Sequence, residues 1–107
     1  MRGSNNLISF YRFVSDANLK EVYDTTPFLV DEPCYIEPMD AQVATMLDEQ
    51  NAFYMRKIFM EGQLDVRIGD KGVDAQGKVY VVKGLEPFSN NPDTGDMTQL
   101  IGVLRFP

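Results

Sequence analysis

The chain has 107 residues, with 16 Asp and Glu against 10 Lys and Arg, a net charge of −6, one Cys and no His. This length fits one domain, the single Cys excludes an intramolecular disulfide, and the absence of His excludes histidine-based catalysis and histidine metal ligands. No apolar run approaches the roughly 20 residues of a membrane-spanning helix, so we expect one globular domain, residues 1–107, with no membrane partner.

The first half of the chain is predicted to contain two strands and one helix. Residues 7–14 are rich in β-branched and aromatic types, which favour a strand. Residues 16–33 contain turn residues and two prolines and are predicted to form a long loop, followed by a short strand at 34–37. Asp40 can cap a helix over about 40–50, whose apolar residues fall on one side.

The second half is predicted to consist of strands and tight turns. Residues 52–60 favour a strand over a continuation of the helix, because their aromatic residues would spoil the polar face of that helix. Residues 64–68 alternate apolar and charged types, as a half-buried strand does. A return strand at 78–85, a long loop at 89–97 and a closing strand at 98–106 complete a mainly β fold. We expect a small β-barrel or rolled antiparallel sheet with one amphipathic α-helix.

No combination of residues indicates catalysis or metal binding. Cys34 has no nearby cation to lower its pKa and is interpreted as a small buried hydrophobe. The run at 91–96 lacks the ligand spacing of a calcium loop, and the two glycines at 69–72 fit a hairpin turn better than a phosphate-clamping loop. Carboxylate pairs such as Glu61 and Asp65 would need burial to serve acid–base chemistry. We expect no catalytic, metal or cofactor site, and a structural or interaction protein rather than an enzyme.

Charge is distributed unevenly along the chain. Residues 21–49 contain eight acids and no Lys or Arg, a charge of −8, so the other eight acids and ten bases carry +2. Such asymmetry suits contact between copies of the chain, and a solvated acidic face is the alternative interpretation. The overall acidity disfavours tight binding of nucleic acid.

A passage in the second half resembles a known family. It reads Leu64-Asp65-Val66-Arg67-Ile68-Gly69-Asp70-Lys71, then Asp74-Ala75-Gln76-Gly77, then Lys78-Val79-Tyr80-Val81-Val82-Lys83-Gly84-Leu85-Glu86-Pro87. With the order of the predicted elements, this passage resembles the head–tail joining proteins of tailed bacteriophages, the head-closure or stopper group.

The resemblance implies a compact β-barrel with a helix, assembled as a homo-oligomeric ring of six or twelve copies beneath the portal. Such a ring would lie in the neck of the virion, after assembly in the host cytoplasm, and would join the filled head to the tail. The implied partners are the portal or an adaptor, tail proteins, and double-stranded DNA that passes through the ring without specific binding. No catalytic residue and no cofactor come with this family.

Two surfaces are predicted for such a ring. The channel or inter-subunit surface, in polar segments where an acidic lumen would let DNA slide, consists of Asp24, Asp31, Glu32, Asn90, Asn91, Asp93 and Asp96. The basic partner face consists of Arg56, Lys57, Arg67 and Lys71.

Three alternatives to this assignment stay open. One is a tail-completion protein of similar architecture. Another is a nucleic-acid or ligand-binding barrel of the OB type, for which residues 54–59 are the one stretch that combines aromatic and basic residues. The third is a small enzyme that uses carboxylates alone, which would need a buried acid with a raised pKa in a deep pocket.

Overall fold

The computed structural model describes residues 5–17, 20–47, 54–86, 89–91 and 95–105, which form nine strands and one helix. In chain order these elements are β1 (Asn6–Tyr11), β2 (Phe13–Ala17), β3 (Lys20–Tyr23), β4 (Leu29–Pro38), α1 (Ala41–Leu47), β5 (Met55–Glu61), β6 (Lys71–Asp74), β7 (Val79–Leu85), β8 (Ser89–Asn91) and β9 (Gly95–Arg105). Six strands close into an antiparallel barrel in the order β1-β4-β5-β9-β7-β6, because β5 pairs with β9 and β6 pairs with β1. The predicted mainly β barrel is therefore confirmed.

Three further strands lie outside this ring of strands. β8 pairs with the first residues of β9 and extends the sheet on that side. β2 and β3 pair only with each other and form a separate two-stranded ribbon between β1 and β4.

Inward-facing side chains fill the barrel. On β5, Ile58 and Met60 are fully buried while Lys57 and Phe59 are partly exposed, the alternation of a strand with one face in the core. The main buried cluster comprises Ile8, Phe10, Cys34, Ile58, Met60, Val66, Tyr80, Val82 and Leu100. β6 contributes Gly72 in place of a side chain: a Cβ there would lie 2.8 Å from Ile8 and 2.9 Å from Phe10.

The helix α1 begins after Asp40, whose Oδ1 accepts hydrogen bonds from the backbone N–H groups of Gln42 and Val43 at 3.0 and 3.3 Å. Asp40 is thus the predicted N-cap. Residues 48–50 of the predicted helix lie outside the described residues. The predicted packing of an apolar helix side is not confirmed. Val43 and Met46, two members of that side, are 45% and 87% exposed.

The predicted long loop at 16–33 is wrong over most of its length. The residues at 16–17 end β2, β3 follows, and β4 begins at Leu29 instead of at Cys34. Pro33 is compatible with this longer strand because β4 pairs with β5 only from Cys34 onward. A residue without an N–H is tolerated where a strand has only one neighbour.

The predicted strand at 7–14 is divided at Arg12 into β1 and β2. The backbone N–H of Phe13 donates to the carboxylate Oδ1 of Asp70 at 3.0 Å, so this group does not continue the ladder of β1. A side-chain acceptor 57 residues away in sequence therefore ends the strand.

The predicted strand at 64–68 is also wrong. Its backbone N–H groups bond elsewhere: Leu64 N–H donates to the Thr98 hydroxyl at 2.9 Å and Arg67 N–H to Asp70 Oδ2 at 2.8 Å. Val66 is nevertheless buried in the core, so the apolar pattern reflects burial of an irregular segment. The two glycines at 69–72 form no common turn, since Gly72 lies within β6.

The strand prediction for 52–60 is confirmed by β5, with residues 51–53 outside the described residues, and the return strand is confirmed by β7. The predicted loop at 89–97 is corrected to a β8–β9 hairpin in which Asn90 lies opposite Asp96. Polar residues can form these strands because the backbone groups of β8 pair with those of β9. Residues 92–94 lie outside the described residues.

Candidate functional site

The two ends of the barrel differ in what connects the strands. β1, β5 and β7 end, and β4, β6 and β9 begin, at one end, which we call the hairpin end. Its connections are residues 12–28, with the β2–β3 ribbon, residues 62–70, and residues 86–91 with β8. The opposite end, called the turn end, carries Asn5, the connection through α1, and the turn between β6 and β7.

The predicted channel residues come from connections or strand beginnings at the hairpin end. Asp24 follows the ribbon, Asp31 and Glu32 lie near the start of β4, and Asn90, Asn91 and Asp96 belong to the β8–β9 hairpin. Because β4 and β9 are not neighbours in the ring of strands, these residues lie on different sides of the hairpin end. Asp93 lies outside the described residues, and the channel role of all seven stays a prediction.

Asp31 lies in a bulge in the pairing of β4 with β1. Ile8 is opposite Glu32 and Phe10 is opposite Leu29, so Ser9 faces two residues. Asp31 has a positive φ of 49° and its N–H donates to the Ser9 hydroxyl at 3.0 Å. Asp is among the residues that tolerate this backbone region, and bulges bend a strand locally.

Asp70 is the centre of the contacts at the hairpin end. Its side chain is 1% exposed and accepts three hydrogen bonds: from Arg12 Nη1 at 3.0 Å, from the Phe13 N–H at 3.0 Å and from the Arg67 N–H at 2.8 Å. The ion pair with Arg12 balances the buried charge. One carboxylate thus joins the base of the β2–β3 ribbon to the connection at 62–70.

Aromatic rings hold the same ribbon to the barrel. The Lys71 ammonium lies 5.0 Å from the ring centre of Tyr11 and 4.9 Å from that of Tyr23, so it links β1, β3 and β6. Phe13 and Tyr23 contact edge to face at 5.8 Å across the ribbon. These contacts are of the size that contributes about 0.5–1.5 kcal/mol each. The base of the ribbon is therefore fixed on several sides.

Arg67 pairs with the exposed Asp65 at the rim of the hairpin end, with 3.1 Å between Nη2 and Oδ2. The hydrogen bond from Arg67 lowers the pKa of Asp65, and the same bond raises the pKa of Arg67. The charge of Arg67 is thus offset by its neighbour.

The four residues of the predicted basic partner face do not share one surface. Arg67 and Lys71 lie at the hairpin end, whereas Arg56 lies opposite Pro38 near the turn end. On β5, Arg56 is on the same face as the buried Ile58, and Lys57 is on the outer face. Their role toward a partner stays a prediction.

A second buried carboxylate, Asp74, organises the turn end. It is 6% exposed and accepts hydrogen bonds from the Gln76 and Lys78 N–H groups at 2.9 Å, from the Tyr80 hydroxyl at 3.1 Å and from Asn6 Nδ2 at 3.3 Å. These bonds fix the predicted Asp/Gly turn, where Gly77 has a φ of 84°. Burial and the neighbouring Asp74 charge raise the pKa of Tyr80 to about 12.

Asp70, Asp74 and Arg12 were not predicted as site residues. The one signal in the sequence is the position of each Asp near a glycine of a turn, which is where Asp accepts backbone N–H bonds. Their burial depends on partners more than 50 residues away, such as Arg12 for Asp70 and Asn6 for Asp74. No local pattern contains that information.

Cys34, Glu61 and Asp65 are the residues that the sequence offers for nucleophilic or acid–base chemistry. Cys34 is fully buried, and burial, with Asp74 and Glu32 nearby, raises the pKa of its thiol to about 12. This agrees with the interpretation of Cys34 as a core residue. Glu61 and Asp65 are both exposed. Among the described residues, no group of three acidic or Cys side chains could hold a metal ion.

No helix in the described part of the chain is long and apolar enough to cross a membrane.

Comparison with known proteins finds a likeness in fold. No family model and no curated protein matches the chain. Among solved structures, the phage-like element PBSX protein xkdH from Bacillus subtilis is similar, with a TM-score of 0.55 and 17% sequence identity. The alignment covers 92% of this chain and 92% of that chain. The two proteins therefore share a fold along almost their whole lengths.

Proposed function

We propose that this protein is a structural component of a phage or phage-like particle, and within it a head–tail joining protein of the neck. The observation that carries the proposal is the likeness in fold to a phage-element protein over 92% of both chains. The resemblance of residues 64–87 to head-closure proteins, which lies in the sequence alone, supports the same assignment.

In this proposal, copies of the chain form a ring below the portal, through which double-stranded DNA passes. The hairpin end is the surface that meets neighbouring copies, the portal or an adaptor, and tail proteins. Its support is physical: the β2–β3 ribbon is fixed at its base by Asp70 and Lys71, yet Val14 and Val22 on it are 54% and 38% exposed. A ribbon whose base is held in place loses less conformational entropy when a partner covers its exposed apolar residues than a loose segment would.

The experiment that tests the proposal is co-sedimentation of the purified chain with tail-less, portal-containing heads. We expect stoichiometric binding to these heads and none to heads that lack the portal. A combined variant, Asp24→Lys with Glu32→Lys, is expected to weaken binding because it reverses charge at the hairpin end. Glu37→Lys is the control, because Glu37 lies on β4 near the turn end, away from the proposed surface. Equal binding by all three proteins would argue against an electrostatic role of the acidic segment.

A second candidate function is single-stranded nucleic-acid binding on the outer face of β4 and β5. Tyr35 and Phe59 are paired there with 6.4 Å between ring centres, and Lys57 lies on the same face of β5. Bases stack on such rings and the backbone follows positive charge. Glu37, opposite Lys57, weakens this candidate. It predicts oligonucleotide binding that falls with added salt and with Lys57→Ala, and an absence of binding at low salt would end it.

A further inference from the structure

Two β-bulges lie on opposite sides of the barrel wall. In the ring order β1-β4-β5-β9-β7-β6, two strands separate β4 from β7 in either direction, so these strands face opposite sides. The β4 bulge consists of Val30 and Asp31, which together lie opposite one residue of β1. The β7 bulge contains Lys83, an extra residue because Val82 and Gly84 are opposite consecutive residues of β9. Bulges change the direction of side chains locally, and these two are directed away from each other.

Each bulge presents an exposed apolar side chain near an exposed charge. Val30 and Asp31 are both exposed on β4. On β7, Lys83 is exposed, and so is Leu85, two residues further on. Among the residues that the structure describes, the Asp31 carboxylate and the Lys83 ammonium have no ion-pair or hydrogen-bond partner. Both charges are therefore available to another molecule.

The wall around the β4 bulge is acidic. β1 and β4 together contain three acids and no base. Glu37, the acid nearest the turn end, lies opposite Lys57 of β5. Asp31 and Glu32, near the hairpin end, have no base opposite them in the register of β4 with β1. The net negative charge of this wall is thus concentrated at the bulge.

The wall around the β7 bulge is basic. Lys83 is the one charged residue within β7, and Lys78 directly precedes the strand. Glu86 follows the strand, but the structure shows no ion pair between it and Lys83. Surfaces of opposite charge attract each other, and surfaces of like charge are repelled. The β7 bulge therefore complements the β4 bulge of a second copy.

The two bulges lie at the same level of the barrel. β4 begins and β7 ends at the hairpin end, where Asp31 is two residues from the start of β4 and Lys83 is two residues from the end of β7. A second copy placed beside the first in the same orientation brings its β7 bulge to the first copy's β4 bulge without a shift along the barrel axis. A contact between unlike surfaces repeats from copy to copy, and it closes into a ring when no such shift accumulates.

We propose that copies of this chain bind side by side, with the β4 bulge of one copy against the β7 bulge of the next. Asp31 pairs with Lys83 across this contact, and Val30 and Leu85 supply its apolar part. Contacts between two β4 bulges or two β7 bulges are disfavoured, because they would bring like charges together. This lateral contact deepens the proposed function and rests on it for its role, the joining of subunits within the ring.

The first test is cross-linking of the free chain at millimolar concentration with a carbodiimide, which couples a carboxylate to an amine in direct contact. Equal amounts of isotope-labelled and unlabelled chain are mixed, so that a cross-linked peptide pair of mixed labelling reports a link between copies. We expect the link between Asp31 and Lys83 among these mixed products. Its absence overturns the proposal.

The second test reverses one charge at a time and measures self-association by sedimentation velocity. Asp31→Lys makes both bulges basic, and Lys83→Glu makes both acidic. Each variant alone should associate at least about tenfold more weakly than the unmodified chain, because repulsion replaces attraction. An equal mixture of the two should regain the original association, since every contact then joins unlike bulges. A mixture that stays as weak as its components overturns the proposal.

Three further variants control for effects on folding and on overall charge. Asp31→Asn removes the charge, keeps a residue that tolerates the positive φ, and should weaken association less than Asp31→Lys does. Glu37→Lys and Lys78→Glu reverse the same charges at the turn end, on β4 and directly before β7. Both should associate as the unmodified chain does. Equal weakening by these two variants, with the fold intact by circular dichroism, contradicts a contact at the bulges.

Binding to portal-containing heads separates this proposal from the neck assignment. A chain that binds the heads but forms no link between Asp31 and Lys83 overturns the lateral contact alone. A chain that forms the link and recovers association in the mixture, but does not bind the heads, supports the lateral contact and contradicts the neck assignment.

Discussion

At the scale of single residues, Asp70 carries the largest expected effect on stability. Its carboxylate is buried and accepts from one guanidinium and two backbone N–H groups. Asp70→Ala removes all three bonds and leaves the partly buried Arg12 without this partner. We expect the free energy of unfolding to fall by about 3 kcal/mol, the cost of breaking a buried ion pair on one side. Denaturation in urea measures it.

Asp65→Ala is the control for this prediction. Asp65 contacts the same Arg12, at 3.5 Å, but its side chain is 70% exposed. Exposed pairs contribute little because water and salt screen them. Similar urea midpoints for Asp65→Ala and Asp70→Ala would show that burial of Asp70 has no energetic role.

Tyr80 gives a prediction for alkaline pH. Its pKa is raised from 10.0 to about 12, first by burial and then by Asp74, so folding favours the neutral phenol. The stabilising contribution is complete below the unfolded pKa and is lost as pH rises from 10.0 toward 12. Tyr80→Phe should be less stable by about 1 kcal/mol at neutral pH, the net value of a hydrogen bond.

The difference in unfolding free energy between the unmodified protein and Tyr80→Phe should therefore shrink above pH 10. Urea unfolding along a pH series measures this difference. Cys34, whose pKa also rises to about 12, ionises in both proteins and largely cancels in the comparison. A difference that stays constant across the alkaline range would contradict the burial of the phenol.

At the scale of elements, the close approach of β6 to β1 depends on a missing side chain. A Cβ on Gly72 would lie within 3.0 Å of both Ile8 and Phe10, which are fully buried. Gly72→Ala should lower the unfolding free energy by about 1–3 kcal/mol, as overpacking does. Gly84→Ala, where the nearest atom is 3.4 Å away, should cost clearly less. Thermal unfolding of both variants compares them, and equal losses would contradict this packing.

The β2–β3 ribbon should depend on Lys71 for its attachment. Lys71→Met keeps a long apolar side chain and removes the charge that lies between the rings of Tyr11 and Tyr23. We expect faster hydrogen exchange of the ribbon amides, by about fivefold for a loss near 1 kcal/mol, with the barrel strands unchanged. Lys83→Met should leave the exchange of the ribbon unaltered. Uniform acceleration throughout the barrel would show that Lys71 stabilises the whole fold instead.

The elements that the sequence predicts well are those whose pattern is set locally. β5 and β7 each carry enough β-branched and aromatic residues to be recognised without knowledge of their partners. The segment at 64–68 has a similar alternation, but it forms no strand because its backbone N–H groups donate to the side chains of Thr98 and Asp70. The β8–β9 hairpin shows the opposite case. Its polar composition predicts a loop, but backbone pairing with β9 makes residues 89–91 a strand.

The candidate site was predictable only in part for the same reason. Segments 24–33 and 89–97 stand out in the sequence because they are polar and contain proline. These segments lie at one end of the barrel because of the order of the strands. The barrel closes only because β5 pairs with β9, about 40 residues later in the chain. The buried carboxylates at both ends depend on contacts over still longer separations.

At the scale of the whole molecule, the closed barrel separates two ends with different chemistry. The hairpin end carries the β2–β3 ribbon, exposed apolar residues and most of the predicted channel acids. The turn end carries a short turn and a cavity with Arg56 and Lys78 at its wall. In the proposed neck assembly, the hairpin end is the surface that contacts other proteins.

The measurement that tests the neck assignment most directly is native mass spectrometry of the purified chain, alone and mixed with the isolated portal. We predict that a symmetric ring of this chain forms on the portal, with Val14 and Val22 protected from solvent when the complex is compared with the free chain by hydrogen exchange. A chain that never associates with the portal, at any ratio and at low salt, would contradict the account.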